Sequence, residues 1–408
     1  MSIIERIRRD KQLLYLSLAT ALCGMRDNLR YIIWQPFALS LGIPIRDIGA
    51  LESLMDLAKI IIQPVLGAAS DVYGRKKFLI ARELTVLAAG MCFLFAESWQ
   101  LLAAGMIFIG FGIALIPIWN STVAESVEAN EMGEVFSILG SAYMTTGMIG
   151  TVAAGWLADN MGYRIVYAIS VGFAVLSLLV TVFKIDETHK PSGEVKFTVR
   201  EAFTSLLDTF RPPRYMWGYY IAMSVDLFAF SVGWRLINGL LAEVYGFTPG
   251  MLGLMNAVNT GAMALFQIVL GRHVDRYGYK KFLTISQIIS SVLLAMLLFF
   301  PSYHVAIVAS VMMGLGAALW MPAEQAWVAK NVDPEQRAKS IGGYSTFRGL
   351  VALPGPFIGG IVYDRYGYHG PLVINLVLAV IDVGLLWFLV KDNAREESEL
   401  LDDPELEN

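Results

Sequence analysis

The chain alternates long apolar segments with short polar connections over most of its length. Apolar windows of roughly 20 residues, which as helices cross a hydrocarbon core of about 30 Å, recur throughout. They predict six spans at 13–37, 47–68, 78–96, 101–123, 134–156 and 164–184, and six more at 215–242, 250–271, 282–300, 304–329, 339–361 and 370–391. Segments this long and continuously apolar exclude the strands of a membrane barrel. The pattern therefore predicts an all-α membrane protein with twelve transmembrane helices.

The second half of the chain repeats the first. The segment GAASDVYGRKKFL at 67–79 returns in degraded form as GRHVDRYGYKKFL at 271–283, in register at an offset of 204 positions. A second match, which pairs Asp159 with Asp364, has an offset of 205. A repeat of about half the chain is not a solenoid, whose period is roughly 20–50 residues. It indicates two related, pseudo-symmetric bundles of six helices each.

Composition agrees with a chain that lies mostly in lipid. Hydrophobic residues make up 56% and charged residues 16% of the 408 residues, against roughly 45–50% and 25% in soluble domains. We expect an N-terminal six-helix bundle over 1–185 and a C-terminal one over 215–394. The polar residues 186–214 are predicted to form a cytoplasmic linker with a short amphipathic helix. Residues 395–408 are predicted to be an acidic, disordered tail.

Positive charge is concentrated in alternate connections. Lys and Arg residues precede the first span, follow the second, fill the central linker and recur in the corresponding loops of the second half. The opposite loops hold little more than Arg46, Arg164 and Arg365. By the positive-inside rule, both termini and the linker are predicted to be cytoplasmic. The N-terminal apolar run is as long as a span and lacks an A-x-A cleavage site, so we expect a retained helix in the cell membrane.

The loop between the second and third spans contains a motif of glycines, an aspartate and basic residues. It comprises Gly67, Asp71, Gly74, Arg75 and Lys76, and the loop between the eighth and ninth spans repeats it with Gly271, Asp275, Gly278 and Lys280. With the twelve spans and the long central connection, this signature resembles that of the major facilitator superfamily of transporters. The resemblance covers essentially the whole chain. It implies the fold of that family and a gating role, in which the cluster latches the two halves in the outward-facing state.

The residues of this motif also have a physical interpretation. Glycines permit tight turns and close helix approach, Asp71 can accept from exposed N–H groups at a neighbouring helix N-terminus, and the basic residues hold the loop at the anionic leaflet. The alternative is that the basic residues of this loop only set the orientation of the chain in the membrane. The family's drug antiporters often carry a Gly-Pro-x-x-Gly-Gly run in the fifth span, and here that run stands at 355–360, in the eleventh.

Several charged residues lie inside predicted spans, where each costs roughly 2.5–3.5 kcal/mol if it faces lipid. In the first span, Arg26 and Arg30 lie about 40° apart around the helix axis and Asp27 about 60° beyond, so the three share a side that faces protein or water. The candidate substrate-binding or proton-coupling residues are Arg26, Asp27, Arg30, Asp56, Lys59, Asn120, Asp226, Glu324 and Arg348. The alternative is a set of permanent salt bridges that fix helix register.

A carboxylate that alternates between an arginine and a proton couples transport to proton movement, because protonation removes its charge. Asp27 is our first choice for this residue, followed by Asp56 and Asp226, with Glu324 also open. The leading hypothesis is a secondary active transporter that moves a small organic solute by alternating access, is proton-coupled, and leans to efflux because of its Gly-rich fifth and eleventh spans. The arginines favour, as the alternative, uptake of an organic anion.

Other functional classes have little support in the sequence. The four histidines form no H-E-x-x-H motif, and the chain has no G-x-S-x-G or phosphate loop, so we expect no enzymatic activity, metal or cofactor. The expected partners are a small-molecule substrate, protons and the lipid bilayer, without nucleic acid, and we expect a monomer. A non-transporting membrane sensor is the alternative from a different class.

Overall fold

The computed structural model describes residues 10–128, 131–189, 213–332 and 337–394, with side chains at all of these except 271–277, 329 and 337–342. Within this part of the chain the regular structure is helical and no β-strand occurs. The first seven helices are α1 (Lys11–Ser40), α2 (Ile45–Tyr73), α3 (Arg75–Leu94), α4 (Trp99–Ala114), α5 (Ile116–Glu125), α6 (Met132–Met161) and α7 (Tyr163–Lys184).

Eight further helices follow the central connection. They are α8 (Trp217–Val232), α9 (Ile237–Tyr245), α10 (Pro249–Tyr277), α11 (Tyr279–Phe299), α12 (Tyr303–Asn331), α13 (Arg337–Ala352), α14 (Gly355–Tyr366) and α15 (His369–Leu389). Two 3₁₀ turns, Arg214–Met216 and Trp234–Leu236, precede α8 and α9. Each of the twelve predicted spans coincides with one helix or with two helices in succession.

Nine helical stretches of the described residues are long and apolar enough to cross a membrane. They account for every predicted span except the first three, which correspond to α1, α2 and α3. These three helices each carry two or more charged residues inside the predicted span, and intramembrane charge lowers mean hydropathy. The protein is therefore an all-α membrane protein, and the structure is consistent with twelve membrane crossings.

Two predicted spans are interrupted at proline. After α4 ends at Ala114, α5 begins at Ile116 with Pro117 in its first turn, and α14 likewise has Pro356 in its first turn. Proline lacks the N–H group that a helix interior needs, but it is tolerated in the first turn, where that N–H has no intrahelical partner. The chain therefore starts a new helix where continuing the old one would lose a hydrogen bond.

A third interruption, at Gly233, is bridged by a side chain from another helix. α8 ends just before this glycine, and Asn375 on α15 packs against it. With the Asn375 amide oriented to satisfy both groups, its nitrogen donates to the Ala229 carbonyl at 3.1 Å and its oxygen accepts from the Trp234 N–H at 3.2 Å. Backbone groups freed inside a membrane need such partners because water is absent. Asn375 thus makes the break in the helix tolerable.

The described chain divides into two compact units. The first contains the described residues up to position 204 together with 241–257, and the second contains those of 205–240 and 258–408. The end of α9 and the start of α10 therefore belong to the first unit, whereas the repeat assigns them to the C-terminal bundle. The bundle boundaries stay a prediction. Most of the proposed linker (190–212) and the proposed tail (395–408) lie outside the described residues.

In the first unit, α1 packs along α6 and α7, and α3 packs along α4 and α7. The contact between α1 and α6 is close at Gly24, where an added Cβ would collide with the Thr146 hydroxyl and the backbone of Tyr143. Glycine permits this approach because it has no side chain. The close contact holds α6 against the stretch of α1 that carries Arg26, Asp27 and Arg30.

In the second unit, α8 packs against α13 and α15, and α11 packs against α12 and α15. Tyr219 stacks on Trp327 in the core, with ring centroids 3.7 Å apart and planes within 6° of parallel. The Trp327 indole donates to the Lys391 carbonyl at 2.8 Å, which satisfies its buried N–H. The Tyr219 hydroxyl donates to the backbone carbonyl of Glu324 at 3.5 Å. This core therefore supports the helix that positions Glu324.

Candidate functional site

The interior of the first unit contains a network of charged side chains. Arg26 on α1 is only 2% exposed; its Nη1 lies 2.5 Å from Glu83 Oε2 on α3, and its Nε lies 2.9 Å from Asp27 Oδ1. Arg82 donates from Nη1 to Glu83 Oε1 at 2.6 Å. The Glu83 carboxylate is therefore bound by arginines from two helices. Charge-assisted hydrogen bonds of this kind are the strong ones inside proteins.

Asp27 connects this network to α6. The Arg30 guanidinium lies 4.0 Å from Asp27 Oδ1, and the Tyr143 hydroxyl donates to Asp27 Oδ2 at 3.5 Å. The Asp27 side chain is 21% exposed and that of Arg30 is 13% exposed, so both are more accessible than Arg26. The structure brings Arg26, Asp27 and Arg30 together, as their helical spacing predicts, and leaves Asp27 as the accessible carboxylate of the network.

Arg82 and Glu83 are absent from the sequence-based candidates. They lie inside the predicted span 78–96, and the rule that intramembrane charges need partners would have identified them. In the structure, the partner of Arg26 from another helix is Glu83 on α3, and the Arg82 guanidinium also lies 5.8 Å from the centre of the Trp119 ring on α5.

The charged residues of α2 pair along their own helix. Lys59 Nζ lies 3.2 Å from Asp56 Oδ1, three residues earlier, and Asp56 is buried. Glu52, one turn before Asp56, accepts a hydrogen bond from Gln35 of α1 at 3.4 Å. Asn120, on α5, is exposed. The structure thus pairs Asp56 with Lys59 and places Asn120 at a surface of its unit.

The second unit contains a compact cluster around Glu324 on α12. Oε1 of Glu324 accepts from Arg348 Nη1 at 2.6 Å and from the Tyr344 hydroxyl at 3.0 Å, and Oε2 accepts from Trp320 Nε1 at 2.9 Å. Arg348 Nη1 also donates to the Tyr344 hydroxyl at 2.9 Å. The candidates Glu324 and Arg348 therefore form one ion pair, and two aromatic side chains fix its geometry.

This ion pair lies in the walls of two adjoining cavities. The larger, about 590 Å³, is lined by Met321, Glu324, Gln325, Val328, Tyr344, Ser345 and Arg348. Ligand cavities for drug-sized molecules are typically about 300–1,000 Å³, mostly apolar with a few polar groups. The larger cavity fits this description in size and lining. A small organic solute could contact both the apolar wall and the ion pair.

The second cavity, about 260 Å³, extends towards α8 and α11. Its lining shares Met321, Glu324 and Arg348 with the first and adds Asp226 of α8 and Gln287 of α11. Asp226, a third acidic candidate, thus shares a cavity with the Glu324–Arg348 pair. Polar groups that the sequence could place only on separate helices meet at this cavity.

The signature loop after α2 is built around Arg75. Gly74 has a φ of +91°, a conformation that favours glycine, and it turns the chain directly from α2 into α3. Arg75 Nη1 lies 2.6 Å from Asp71 Oδ1, and its Nη2 lies 3.1 Å from Glu125 Oε1 at the end of α5. At Gly67, no described residue lies within 4 Å of where a Cβ would stand. Of the two predicted glycine roles, the tight turn at Gly74 is confirmed.

A carboxylate that the sequence did not single out caps α3. Glu187, after the end of α7, accepts from the backbone N–H of Arg75 at 2.8 Å and of Lys76 at 3.1 Å. In the second unit, Asp392 accepts from the Lys280 N–H at 2.8 Å. The motif residue Gly278 has a φ of +92°. Gly271 and Asp275 lie within α10, and the Asp275 side chain lies outside the described part of the structure.

Comparison with known proteins agrees with this architecture. Multidrug resistance protein MdtG of Klebsiella pneumoniae (strain 342) is 24% identical over 346 residues, covering 80% of this chain and 79% of the relative. The MdtG protein of Escherichia coli O9:H4 (strain HS) is 23% identical over 347 residues, covering 83% of each. These relatives extend over most of the chain, so the similarity is not confined to one bundle.

Solved transporter structures share the fold. The nucleoside transporter NupG has a TM-score of 0.71 at 15% identity, covering 92% of this chain and 97% of that one. A D-xylose–proton symporter has a TM-score of 0.68 at 14% identity, covering 94% of this chain and 99% of that one. Residues 16–237 and 223–405 match the sequence profile of the Major Facilitator Superfamily. The chain therefore belongs to that superfamily and is a multi-pass membrane transporter rather than an enzyme.

Proposed function

We propose that this protein is a proton-coupled exporter of small organic solutes that works by alternating access. The observation that carries the proposal is the Glu324–Arg348 pair in the wall of the 590 Å³ cavity. A carboxylate in that position can hold an arginine, a proton or a cationic solute. Export is supported by the relatives named multidrug resistance proteins.

Coupling follows from the exchange of partners at Glu324. When Glu324 binds a proton, it loses the charge that pairs with Arg348, and a solute that needs the carboxylate leaves. When the proton leaves, the carboxylate is restored and can bind the next solute. Proton and solute thus compete for one group, which is the requirement for antiport. Asp27, held by Arg26, Arg30 and Tyr143 in the first unit, is proposed as a second coupling carboxylate.

The side chains that line the cavity also indicate which class of solute it binds. Met321 and Val328 supply apolar contact, and the Tyr344 and Trp320 rings flank the carboxylate. Methionine side chains adapt to solutes of different shapes, and promiscuous binding surfaces use this property. Because Arg348 is already neutralised by Glu324, a neutral or cationic solute with an apolar body fits this cavity better than an anion.

A second candidate, transport of an organic anion, is favoured by the first-unit network. That network has three guanidinium groups (Arg26, Arg30 and Arg82) and two carboxylates (Asp27 and Glu83), so it holds one excess positive charge. Arg26 Nη2 and Arg82 Nε are buried and lack hydrogen-bond partners among the described residues. An anionic group near Arg30, the most accessible of the three, would compensate this charge.

The signature loop is proposed to act as a cytoplasmic latch. Arg75 binds acidic groups from α2 and α5, and Glu187 caps the same turn from beyond α7. All of these contacts lie within the first unit, so they fix the ends of its helices relative to one another and preorganise the loop for the latch that we propose. The cytoplasmic placement of both termini and the monomeric state are part of the same proposal.

A two-stage experiment tests the proposed function. First, thermal unfolding of the purified protein is measured with lipophilic cations, neutral solutes and organic anions, because selective binding to the folded state raises stability. The solute that stabilises most is then used in proteoliposomes with an imposed pH gradient. We expect a cationic or neutral solute to bind and the gradient to drive its transport. Stabilisation by organic anions alone would instead support the second candidate.

The matched variants are Glu324→Gln and the exposed control Glu243→Gln. Glu324→Gln should abolish gradient-driven transport, because the amide cannot exchange a proton at physiological pH, while Glu243→Gln should behave like the wild type. Gradient-driven transport that persists in Glu324→Gln would exclude Glu324 as the coupling carboxylate.

A further inference from the structure

We propose that Asp382 on α15 is a buried proton-binding site, which shares its proton with Asp226 on α8. Asp382 is 0% exposed, and neither of its carboxyl oxygens has a hydrogen-bond partner among the described residues. The sequence-based candidates do not include it. This inference deepens the proposed function because it locates the proton that is transported. Only the claim that this proton is transported rests on the proposed function; the proton site itself does not.

The position of Asp382 follows from the packing of α15. Asn375 and Ala379 precede it by seven and three residues, so all three lie on one face of the helix, and all three are buried or nearly so. That face packs against α8 and α11. Asn375 and Ala379 line a small cavity together with Asp226 and Gln287. Asp382 does not line this cavity itself, but it lies three residues beyond Ala379 on the helix face that does, and the cavity already contains the Asp226 carboxylate.

The size of this cavity determines what it can hold. Its volume is about 30 Å³, whereas a single water needs roughly 10–15 Å³ on the same measure. One or two waters fit, but an organic solute does not. The cavity next to it, about 260 Å³, is also lined by Asp226 and Gln287. Asp226 is thus placed to pass a proton between the solute cavity and the water-sized cavity beside Asp382.

The buried surroundings of Asp382 and the nearby Asp226 both favour its protonated, neutral form. An ionised carboxylate that is fully buried without a donor or a cation is among the most unfavourable groups inside a membrane. Asp226 interacts electrostatically with Asp382 and is itself acidic, so two ionised groups would repel each other. A neutral Asp382 O–H removes both penalties. Binding is simple: a hydrated proton adds to a carboxylate oxygen and releases its water.

Among the described side chains, the other helices packed against α15 supply no compensating charge at this depth. α11 offers the uncharged Gln287 and two lysines in its first turn: Lys281 is exposed, and the Lys280 ammonium stacks on Trp387 at 5.1 Å from the ring centre. Trp387 lies five residues, about 7 Å, further along the helix axis from Asp382. The charged side chains of α14, Asp364 and Arg365, stand in its last turn, next to the opposite end of α15. Of the described residues that line the three cavities, Arg348 alone is cationic.

Infrared difference spectroscopy of the full-length protein in lipid tests the assignment. A protonated carboxylic acid has a C=O stretching band distinct from that of a carboxylate. We expect the wild type to show this band at neutral pH and to lose it on alkalinisation. Asp382→Asn should remove the band, whereas the exposed control Asp364→Asn should retain it. A band that is unchanged in Asp382→Asn, or absent from the wild type, overturns the proposal.

Two further measurements test the shared proton and its transport. Asp226→Asn should shift the Asp382 band without removing it; an unshifted band would show that the two residues do not share the proton. In proteoliposomes, Asp382→Asn should reduce gradient-driven solute transport at least tenfold. If gradient-driven transport is normal in this variant although the band is lost, Asp382 does not hold the transported proton. If the wild type shows the band but no response to the gradient, the proposed function fails while the proton site stands.

Discussion

Glu187 and Asp392 stand 205 positions apart and cap equivalent helices in the two units. Glu187 accepts from the Arg75 N–H and Asp392 accepts from the Lys280 N–H, each at 2.8 Å. Both capped helices begin directly after a glycine with positive φ. The internal repeat therefore extends beyond the signature loop to the carboxylate that satisfies it. A negative charge at a helix N-terminus also interacts favourably with the helix dipole.

Removing either cap should destabilise the protein modestly. Glu187→Ala removes the acceptor of the Arg75 and Lys76 N–H groups, and Asp392→Ala removes that of the Lys280 N–H. Loss of an N-terminal cap costs about 0.5–2 kcal/mol. Asp186→Ala, at the neighbouring exposed position, is the control and should change stability by less than about 0.5 kcal/mol. Thermal unfolding in detergent measures all three. Equal stability of Glu187→Ala and Asp186→Ala would contradict the capping role.

Breaking the Glu83 network should have a much larger effect. Glu83→Gln leaves Arg26 and Arg82 buried without their shared carboxylate, and removing one partner of a buried ion pair costs about 3–5 kcal/mol. The matched control is Glu97→Gln, which breaks the exposed pair with Arg164 at 3.4 Å. Exposed pairs contribute about 0–1 kcal/mol.

Denaturant or thermal unfolding of Glu83→Gln and Glu97→Gln measures how much the buried network and the exposed pair each contribute to stability. Similar losses for Glu83→Gln and Glu97→Gln would mean that the buried network contributes no more than a surface pair. A large loss of stability together with intact transport would support the alternative in which the first-unit charges fix helix register.

Asn375 should be required for the break in α8. Asn375→Leu is similar in volume, but it leaves the Trp234 N–H without its acceptor, at about 1–3 kcal/mol for an orphaned group. The Ala229 carbonyl keeps its hydrogen bond from the Gly233 N–H at 3.3 Å. The control is Asn160→Leu, because the Asn160 amide donates to the Trp156 carbonyl at an exposed site. The unfolding temperature should fall clearly more for Asn375→Leu. Equal unfolding temperatures would show that the amide does not support the break.

Asp27→Asn should uncouple transport from the pH gradient. The amide keeps the shape of the side chain but cannot release a proton, so gradient-driven accumulation should be lost while solute exchange remains measurable. Asp47→Asn, which alters the exposed pair with Arg46, should leave both activities intact. Proteoliposome flux assays measure accumulation and exchange separately. Accumulation that survives in Asp27→Asn would remove Asp27 from the coupling mechanism.

The sequence predicts much of this fold because the membrane imposes simple rules. Apolar length locates the helices, and the repeat predicts that Gly74 and Gly278 occupy equivalent turns. The interruptions at Leu115 and Gly233 are harder to predict, since apolar windows run across them without change. The Gly233 break is stabilised by Asn375, which is distant in sequence, and hydropathy contains no information about that contact.

The sequence predicts which residues belong to the candidate site better than it predicts which of them pair with each other. Both Glu324 and Arg348 follow from the rule that intramembrane charge needs a partner, but their ion pair depends on how α12 and α13 pack. The same rule, applied to every span, would have identified Glu83 and Asp382 as well. Helical spacing correctly predicts that Arg26, Asp27 and Arg30 lie together, because contacts within one helix depend only on local geometry.

The most direct test of proton-coupled export is to record solute and proton movement together in proteoliposomes. Vesicles loaded with the stabilising solute and a pH-sensitive dye are diluted into solute-free buffer. The account predicts that solute exit drives proton entry, so that the lumen acidifies in the wild type but not in Glu324→Gln. Solute exit with no change in lumenal pH, or with alkalinisation, would contradict it.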